Sequence, residues 1–317
     1  MRWRAYTSSV ASIPTLANGQ INTVGYGFFP NGSVTIQTMT TSGSASTASQ
    51  NTLPESPQFP ALNLISDGTN IYGQYVSNYP RTWWYEWTIP GLVYSTPGPV
   101  GSIFRLGGYV SLGGSSAIVV GRDNANHPAV QSLTLPSTSV NYNNFPGYTG
   151  TLGYPVYDGT SVWVVLTGTA NLFQIDPSTL SATVHTMPTT LSSPYQIATD
   201  GTYVYISADS GGIIVWDIGG ASGSVVGSTV TEHCWYSANF GLVFTADTAS
   251  GNNIYTMPTG GGSLTNIGNA DTITGGTAMT VEGFCDGPTN DLWASVSGSA
   301  EWNIVYTPRG MKIVGII

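Results

Sequence analysis

An all-β fold assembled from one repeated unit is the architecture this sequence predicts, and three observations predict it. The first is composition. Val, Ile, Thr and Tyr are plentiful and Lys, Glu and Leu are scarce, with 40 glycines in 317 residues. Branched and aromatic side chains favour strands, and glycines punctuate them. The second is a returning phrase: Asp67-Gly68-Thr69-Asn70-Ile71-Tyr72, Asp158-Gly159-Thr160-Ser161-Val162-Trp163 and Asp200-Gly201-Thr202-Tyr203-Val204-Tyr205. Each is an Asp-Gly turn leading into a strand, with an aromatic five residues after the Asp. The third is spacing. The later interval is 42 residues and the earlier one is 91, about two periods. A fixed period of this size is the signature of a repeat architecture.

The double interval predicts a worn copy midway, and Gly113-Gly114-Ser115-Ser116-Ala117-Ile118 occupies that place. Two further copies carry an altered turn: Asn239-Phe240-Gly241-Leu242-Val243-Phe244 and Asn290-Asp291-Leu292-Trp293. The anchors are then Tyr72, Ile118, Trp163, Tyr205, Phe244 and Trp293. A weaker copy, Leu16-Ala17-Asn18-Gly19-Gln20-Ile21, keeps the turn and lacks the aromatic.

Within residues 194–230 four strands can be read. Tyr195 to Ala198 is strand A, Tyr203 to Ser207 strand B, Ile213 to Asp217 strand C, and Ser224 to Ser228 strand D. Asp176 ends strand C of the preceding unit as Asp217 ends this one. Four short antiparallel strands in about 42 residues is the layout of a β-propeller blade. The expectation is one propeller domain over 1–317, most simply of seven blades. Residues 1–59 form an atypical first blade, and the others span about 60–100, 101–145, 146–190, 191–230, 231–275 and 276–317. Six blades with an N-terminal arm is the alternative. Residues 40–58 read as a loop or an outer strand with a loop. The ring is expected to close by pairing Trp3 to Ser8 with the apolar Met311 to Ile317, which brings the termini together and removes two free edges.

The repeats resemble propeller blades of the Tyr-Val-Thr-Asn-like (YVTN) and quinoprotein-like types, over about residues 60–317. Trp216-Asp217 also resembles the Trp-Asp dipeptide of another propeller family, although no Gly-His pair opens the unit. Such a resemblance implies fold and leaves function to the sites.

Charge narrows the function classes. Net charge is −9 and charged residues are 7% of the chain. Nucleic-acid binding depends on clustered Lys and Arg, and the densest basic site is Arg2 with Arg4. No apolar run reaches the ~18 residues that would suggest a membrane helix. Ala5 to Ser9 is too polar for a signal core, so no export signal is expected. Cys234 and Cys285 are too few for a disulfide scaffold.

Four constellations are candidates for chemistry. Arg81-Thr82-Trp83-Trp84-Tyr85-Glu86-Trp87 puts Trp83, Tyr85 and Trp87 on one strand face, either as packing between blades or as a platform for sugar rings. Glu232-His233-Cys234-Trp235 falls on an inner strand, and Cys285-Asp286 ends the next one. Glu232, His233, Cys234 and Cys285 are therefore candidate channel-lining residues. The close ligand pairs of a structural zinc site are missing, and neither metal nor cofactor is expected. No Gly-x-Ser-x-Gly elbow occurs for a serine nucleophile, and His127, His185 and His233 have no evident partners. Most acids read as turn-formers, so catalytic residues are expected to be absent.

A low-charge, Ser/Thr/Gly-rich propeller without an export signal resembles the tail and appendage proteins of phage particles. That resemblance implies a non-enzymatic virion structural or host-attachment protein. Its partners would be other copies of itself and other virion proteins, with a cell-surface glycan as a further ligand and without nucleic acid or membrane insertion. A sugar-binding propeller, or a propeller lyase or glycosidase, are the alternatives.

Overall fold

Physical chemistry of the repeat dictates the layers. A four-stranded sheet with apolar side chains on both faces must bury both, and stacking sheets around an axis does so. In the computed structural model the chain is a single propeller of four-stranded antiparallel sheets. Of residues 1–102 the structure describes the backbones of the strands alone. Between 103 and 307 it describes backbone and side chains, apart from 104 and the side chains of 105–106, residues 135–136 with the side chains of 137–140, 192–195, 208–210, 248–251, 288–289, 298–300 and the side chains of 297 and 301–303.

Strand pairing groups the elements into seven sheets, here I to VII in chain order, each written from its inner strand A to its outer strand D. Sheet III is Arg105–Gly113, Ser116–Arg122, Pro128–Thr134 and Ser137–Asn144. Sheet IV is Val156–Tyr157, Val162–Val165, Thr169–Ile175 and Ala182–Leu191. Sheet V is Ala198–Thr199, Tyr203–Ser207, Ile213–Asp217 and Ser222–Val226. Sheet VI is His233–Ser237, Leu242–Ala246, Asn253–Pro258 and Thr265–Asn269. Sheet VII takes Thr280–Asp286, Leu292–Ser297 and Glu301–Thr307 from one end of the sequence and Arg2–Ser8 from the other.

Blades described through their side chains therefore number five, III to VII, where the sequence reading expects seven or six. The remaining two sheets are described by backbone pairing alone. Sheet I joins Thr15–Ala17, Gln20–Tyr26, Val34–Met39 and Ala45–Gln50. Sheet II joins Asn70–Ser77, Arg81–Thr88 and Val93–Pro99, with Pro57–Phe59 and Leu64–Ser66 both on its inner side. Within residues 40–58, Ala45–Gln50 is an outer strand.

Closure uses a strand pair that the sequence did not point to. Arg2–Ser8 pairs antiparallel with Glu301–Thr307, Arg2 opposite Thr307 and Ser8 opposite Glu301. Met311 to Ile317 lies outside the described residues. Strand Glu301–Thr307 already has an inner neighbour in Leu292–Ser297, so the N-terminal strand completes the sheet as its fourth member. Strand D of sheet V starts at Ser222, two residues before the predicted Ser224, because Asp217 pairs with Ser222 across a tight turn.

The core is a series of layers between neighbouring blades. Ile118, Val120 and Val130 of sheet III meet Val162, Val164 and Phe173 of sheet IV. Trp163 and Val165 meet Val204, Ile206, Ile214 and Trp216 of sheet V. Phe244, Ala246 and Ile254 of sheet VI meet Phe284, Leu292, Ala294 and Ile304 of sheet VII. The five anchors with described side chains, Ile118, Trp163, Tyr205, Phe244 and Trp293, are all fully buried. Burial of each such side chain contributes about 1.5–3 kcal/mol. One element was unforeseen: a short helix, Ala270–Thr274, between sheets VI and VII, with Asn269 accepting from Thr272 N–H and Gly275 closing it.

Candidate functional site

The repeated phrase is explained by one carboxylate with three donors. Asp158 Oδ1 accepts from Thr160 N–H and Ser161 N–H, both at 2.7 Å, and Oδ2 accepts from Trp163 Nε1–H at 2.6 Å. Asp200 repeats this with Thr202 N–H at 2.8 Å, Tyr203 N–H at 2.7 Å and Tyr205 Oη at 2.7 Å. Gly159 and Gly201 sit at φ +97° and +85°, a conformation that side chains with a Cβ avoid. The aromatic is therefore five residues after the Asp because its polar edge must return to the turn. Burial and then Asp200 push the Tyr205 hydroxyl well above its ordinary value. The same hydroxyl accepts from Gly260 N–H of sheet VI at 3.0 Å, which ties two blades together.

The strand C acids are turn caps as well. Asp176 accepts from Ser178 Oγ at 2.7 Å and Ser178 N–H at 2.8 Å, and these bonds hold its carboxyl down at about 2. Asp217 accepts from Gly220 N–H at 3.0 Å. Its neighbour Trp216 is buried in the layer between sheets IV and V. In sheet III, Asp123 accepts from His127 N–H at 2.8 Å and Asn144 Nδ2 at 2.8 Å, and faces His127 Nδ1 at 3.2 Å. His127 is thus part of the turn before Pro128. His185, on the expected outer strand, stacks on Trp163 with centroids 5.6 Å apart and contacts Gln174 Oε1 at 3.0 Å; burial lowers its basicity.

The inner strands form the second candidate region. Gln196 bridges three of them. Its carbonyl accepts from Cys234 N–H at 2.8 Å, its amide donates to Phe284 C=O at 3.0 Å, and its Oε1 accepts from Phe284 N–H at 3.1 Å. Glu232 is half-buried here. His233 is buried, and burial pushes its imidazole down to about 3, so it is neutral at pH 7. Cys234 packs with Ala198, Tyr205, Val243 and Met257 between sheets V and VI, and burial raises its thiol to about 11. Cys285 packs with Trp293 and Val305, and burial raises its thiol further from the thiolate range. Both cysteines are free thiols. Among the described residues no three His, Cys, Asp or Glu converge as a metal site.

Blades VI and VII meet at a junction the sequence did not reveal. Ser237 Oγ donates to Asp286 Oδ1, and Ala238 N–H donates to Asp286 Oδ2 at 2.9 Å. Asn239 Nδ2 donates to the carbonyls of Gly287 at 3.1 Å and Asp291 at 2.9 Å. A Cβ on Gly287 would lie 2.0 Å from Asp291 Oδ1, so only glycine fits there. Burial raises the Asp286 carboxyl, although these bonds oppose it. Nothing in the sequence signals that Gln196, Ser237 and Asn239 contact Phe284, Asp286 and Gly287, which lie 48 to 88 residues away.

Trp83, Tyr85 and Trp87 lie on strand C of sheet II, which is paired on both edges: Trp83 stands opposite Tyr75 and Pro99, and Trp87 opposite Ile71 and Tyr94. Their side chains lie outside the described residues.

Comparison with solved structures agrees with this architecture. The chain is similar to U3-55K, with a TM-score of 0.68 and 10% identity over 96% of this chain and 97% of that one. It is similar to the WD40 repeats of RRP9, with a TM-score of 0.68 and 10% identity over 96% of both chains. It is also similar to Saccharomyces cerevisiae Sqt1, with a TM-score of 0.65 and 10% identity over 94% of this chain and 84% of that one. These likenesses define a propeller, with WD40 proteins among its neighbours. The descriptions of these three name no virus particle, so the finer likeness to phage propellers finds no support in them. No protein-family model and no curated protein matches the chain.

Proposed function

We propose that this chain is a non-enzymatic interaction scaffold that works as one of many copies in a larger assembly. The observation that carries the reading is the occupation of its acids. Asp158, Asp176, Asp200, Asp217 and Asp286 each hold backbone or a neighbouring blade, which leaves the ends of the blades as rigid supports for short loops. The A–B turns of sheets IV and V and the C–D turn of sheet V have small, uncharged tips: Gly159, Thr160, Gly201, Thr202, Gly219, Gly220 and Ala221 are all exposed. A stiff ring with such tips suits recruitment of protein partners.

The finer reading is a structural or host-attachment protein of a virus particle. It is supported by the 7% charged content and the Ser/Thr/Gly-rich composition. Mass spectrometry and immunogold labelling of particles purified from the source test it. The chain is expected in fixed stoichiometry with the other particle proteins, and its absence from every particle would refute the reading.

A further inference from the structure

Among the described strands, the outer strand of each blade leaves one edge unpaired, an edge that proteins ordinarily protect with charge. In sheets I to VI the outer strands Ala45–Gln50, Val93–Pro99, Ser137–Asn144, Ala182–Leu191, Ser222–Val226 and Thr265–Asn269 contain no Asp, Glu, Lys or Arg. The outer strand of sheet VII, Arg2–Ser8, is the exception and carries Arg2 and Arg4. The exposed large apolar side chains among the described residues are Tyr142 and Val225, and both stand on outer strands.

Charge is also placed unevenly along the rim. Arg2 stands opposite Thr307 in sheet VII as Ser222 stands opposite Asp217 in sheet V. Both therefore lie at the end of the blade where strand C gives way to strand D. At that end, sheets IV and V carry Asp176 and Asp217, while the turn 259–264 of sheet VI carries no charge. Asp176 is exposed and held ionised by its hydrogen bonds. One rim position is thus basic, and the rim two and three blades away is acidic. Outer strands all run the same way along the ring axis. Two copies lying side by side with the same face up bring their edges together in parallel, so the arginine-bearing end meets the aspartate-bearing end.

We propose that copies of this chain associate head to tail through the rim. Strand Arg2–Ser8 of one copy lies along strand Ser222–Val226 of the next, with Arg2 and Arg4 level with Asp217 and with Val225 covered at the contact. Each copy carries −9, so a second copy is attracted only where the local signs are opposite. The contact uses two different patches and so builds rings or filaments. This inference rests on the assembly reading and supplies its contact surface.

Sedimentation velocity of the full chain at pH 7 tests it. The wild type is expected to self-associate, and less so as salt rises from about 0.05 to about 0.5 M, where screening shortens the reach of charge. Arg2→Glu/Arg4→Glu and, separately, Ser222→Lys/Val225→Lys should each weaken association about tenfold or more. Mixing those two variants should restore it as a mixed species. Thermal melts confirm that each is folded, and the two sit on different blades, so misfolding of one leaves the other informative. A wild type that stays monomeric at its highest soluble concentration overturns the contact. So does tighter association of Arg2→Ser/Arg4→Ser, since the arginines would then be guarding an edge. A chain present in particles but monomeric here sinks the rim contact alone; one that associates through the rim but is missing from particles sinks the particle reading alone.

Discussion

Sheets IV and V cap their A–B turns from within, while sheet VI borrows its cap from sheet VII. In the first two, Asp158 and Asp200 satisfy the turn and the aromatic of the same strand. In sheet VI the turn at Ala238 to Gly241 has no acid, and Asp286 of the next blade reaches over to Ser237 and Ala238. Turn N–H groups need an acceptor in both places. The difference teaches that a repeat without its own cap can draw the hydrogen bond from a neighbour, and that doing so couples the two blades.

The largest effect expected on the self-contained side is from Trp163→Ala. It empties a fully buried site and strips Asp158 of a donor, at about 3–5 kcal/mol by chemical denaturation. Next is Asp286→Ala, which orphans a buried hydroxyl and a backbone N–H at about 2–3 kcal/mol. Hydrogen exchange should then rise in sheets VI and VII together. Asp158→Ala, at about 1–2 kcal/mol, should raise it in sheet IV alone. Equal spreading in the two variants would erase the distinction between local and borrowed caps.

The smallest effects are in pH dependence, and the two kinds of acid have opposite signs. The folded value of Asp286 is raised, so the ionised form costs stability as pH climbs from 3.8 through that value. Asp176 is depressed to about 2, so its contribution is present above the unfolded value and is lost as pH falls from 3.8 toward 2. Melting curves from about pH 2 to about pH 7 for Asp286→Asn and Asp176→Asn should differ from wild type with opposite slopes. Parallel slopes would remove the contrast.

The legible part of the molecule was the part that repeats. Period and anchors located Trp163, Tyr205, Phe244 and Trp293, all of which the structure buries, because burial of one large side chain per unit leaves a mark at every period. The Asp-Gly phrase disclosed its turns for the same reason. Contacts made once were illegible: Gln196 to Phe284 spans 88 residues, and nothing in either segment announces the other. The helix Ala270–Thr274 is five residues long, too short for a 3.6-residue period to show, and only Asn269 and Gly275 hinted at its ends. Glu301–Thr307 was passed over as a partner of the N-terminal strand because Met311 to Ile317 is the more apolar segment, and apolarity does not tell which strand offers an edge.

That N-terminal strand has a consequence for how the protein is made. Arg2–Ser8 is synthesised well before its pairing partner Glu301–Thr307, with sheets I to VI lying between them in the chain. Sheets III to VI can each form from contiguous chain as it emerges, with low contact order. Sheet VII cannot, and its fourth strand must wait unpaired until Glu301–Thr307 has been made. The growing chain is therefore most vulnerable to mispairing with another nascent copy at this edge, and closure of the ring waits for both segments of sheet VII.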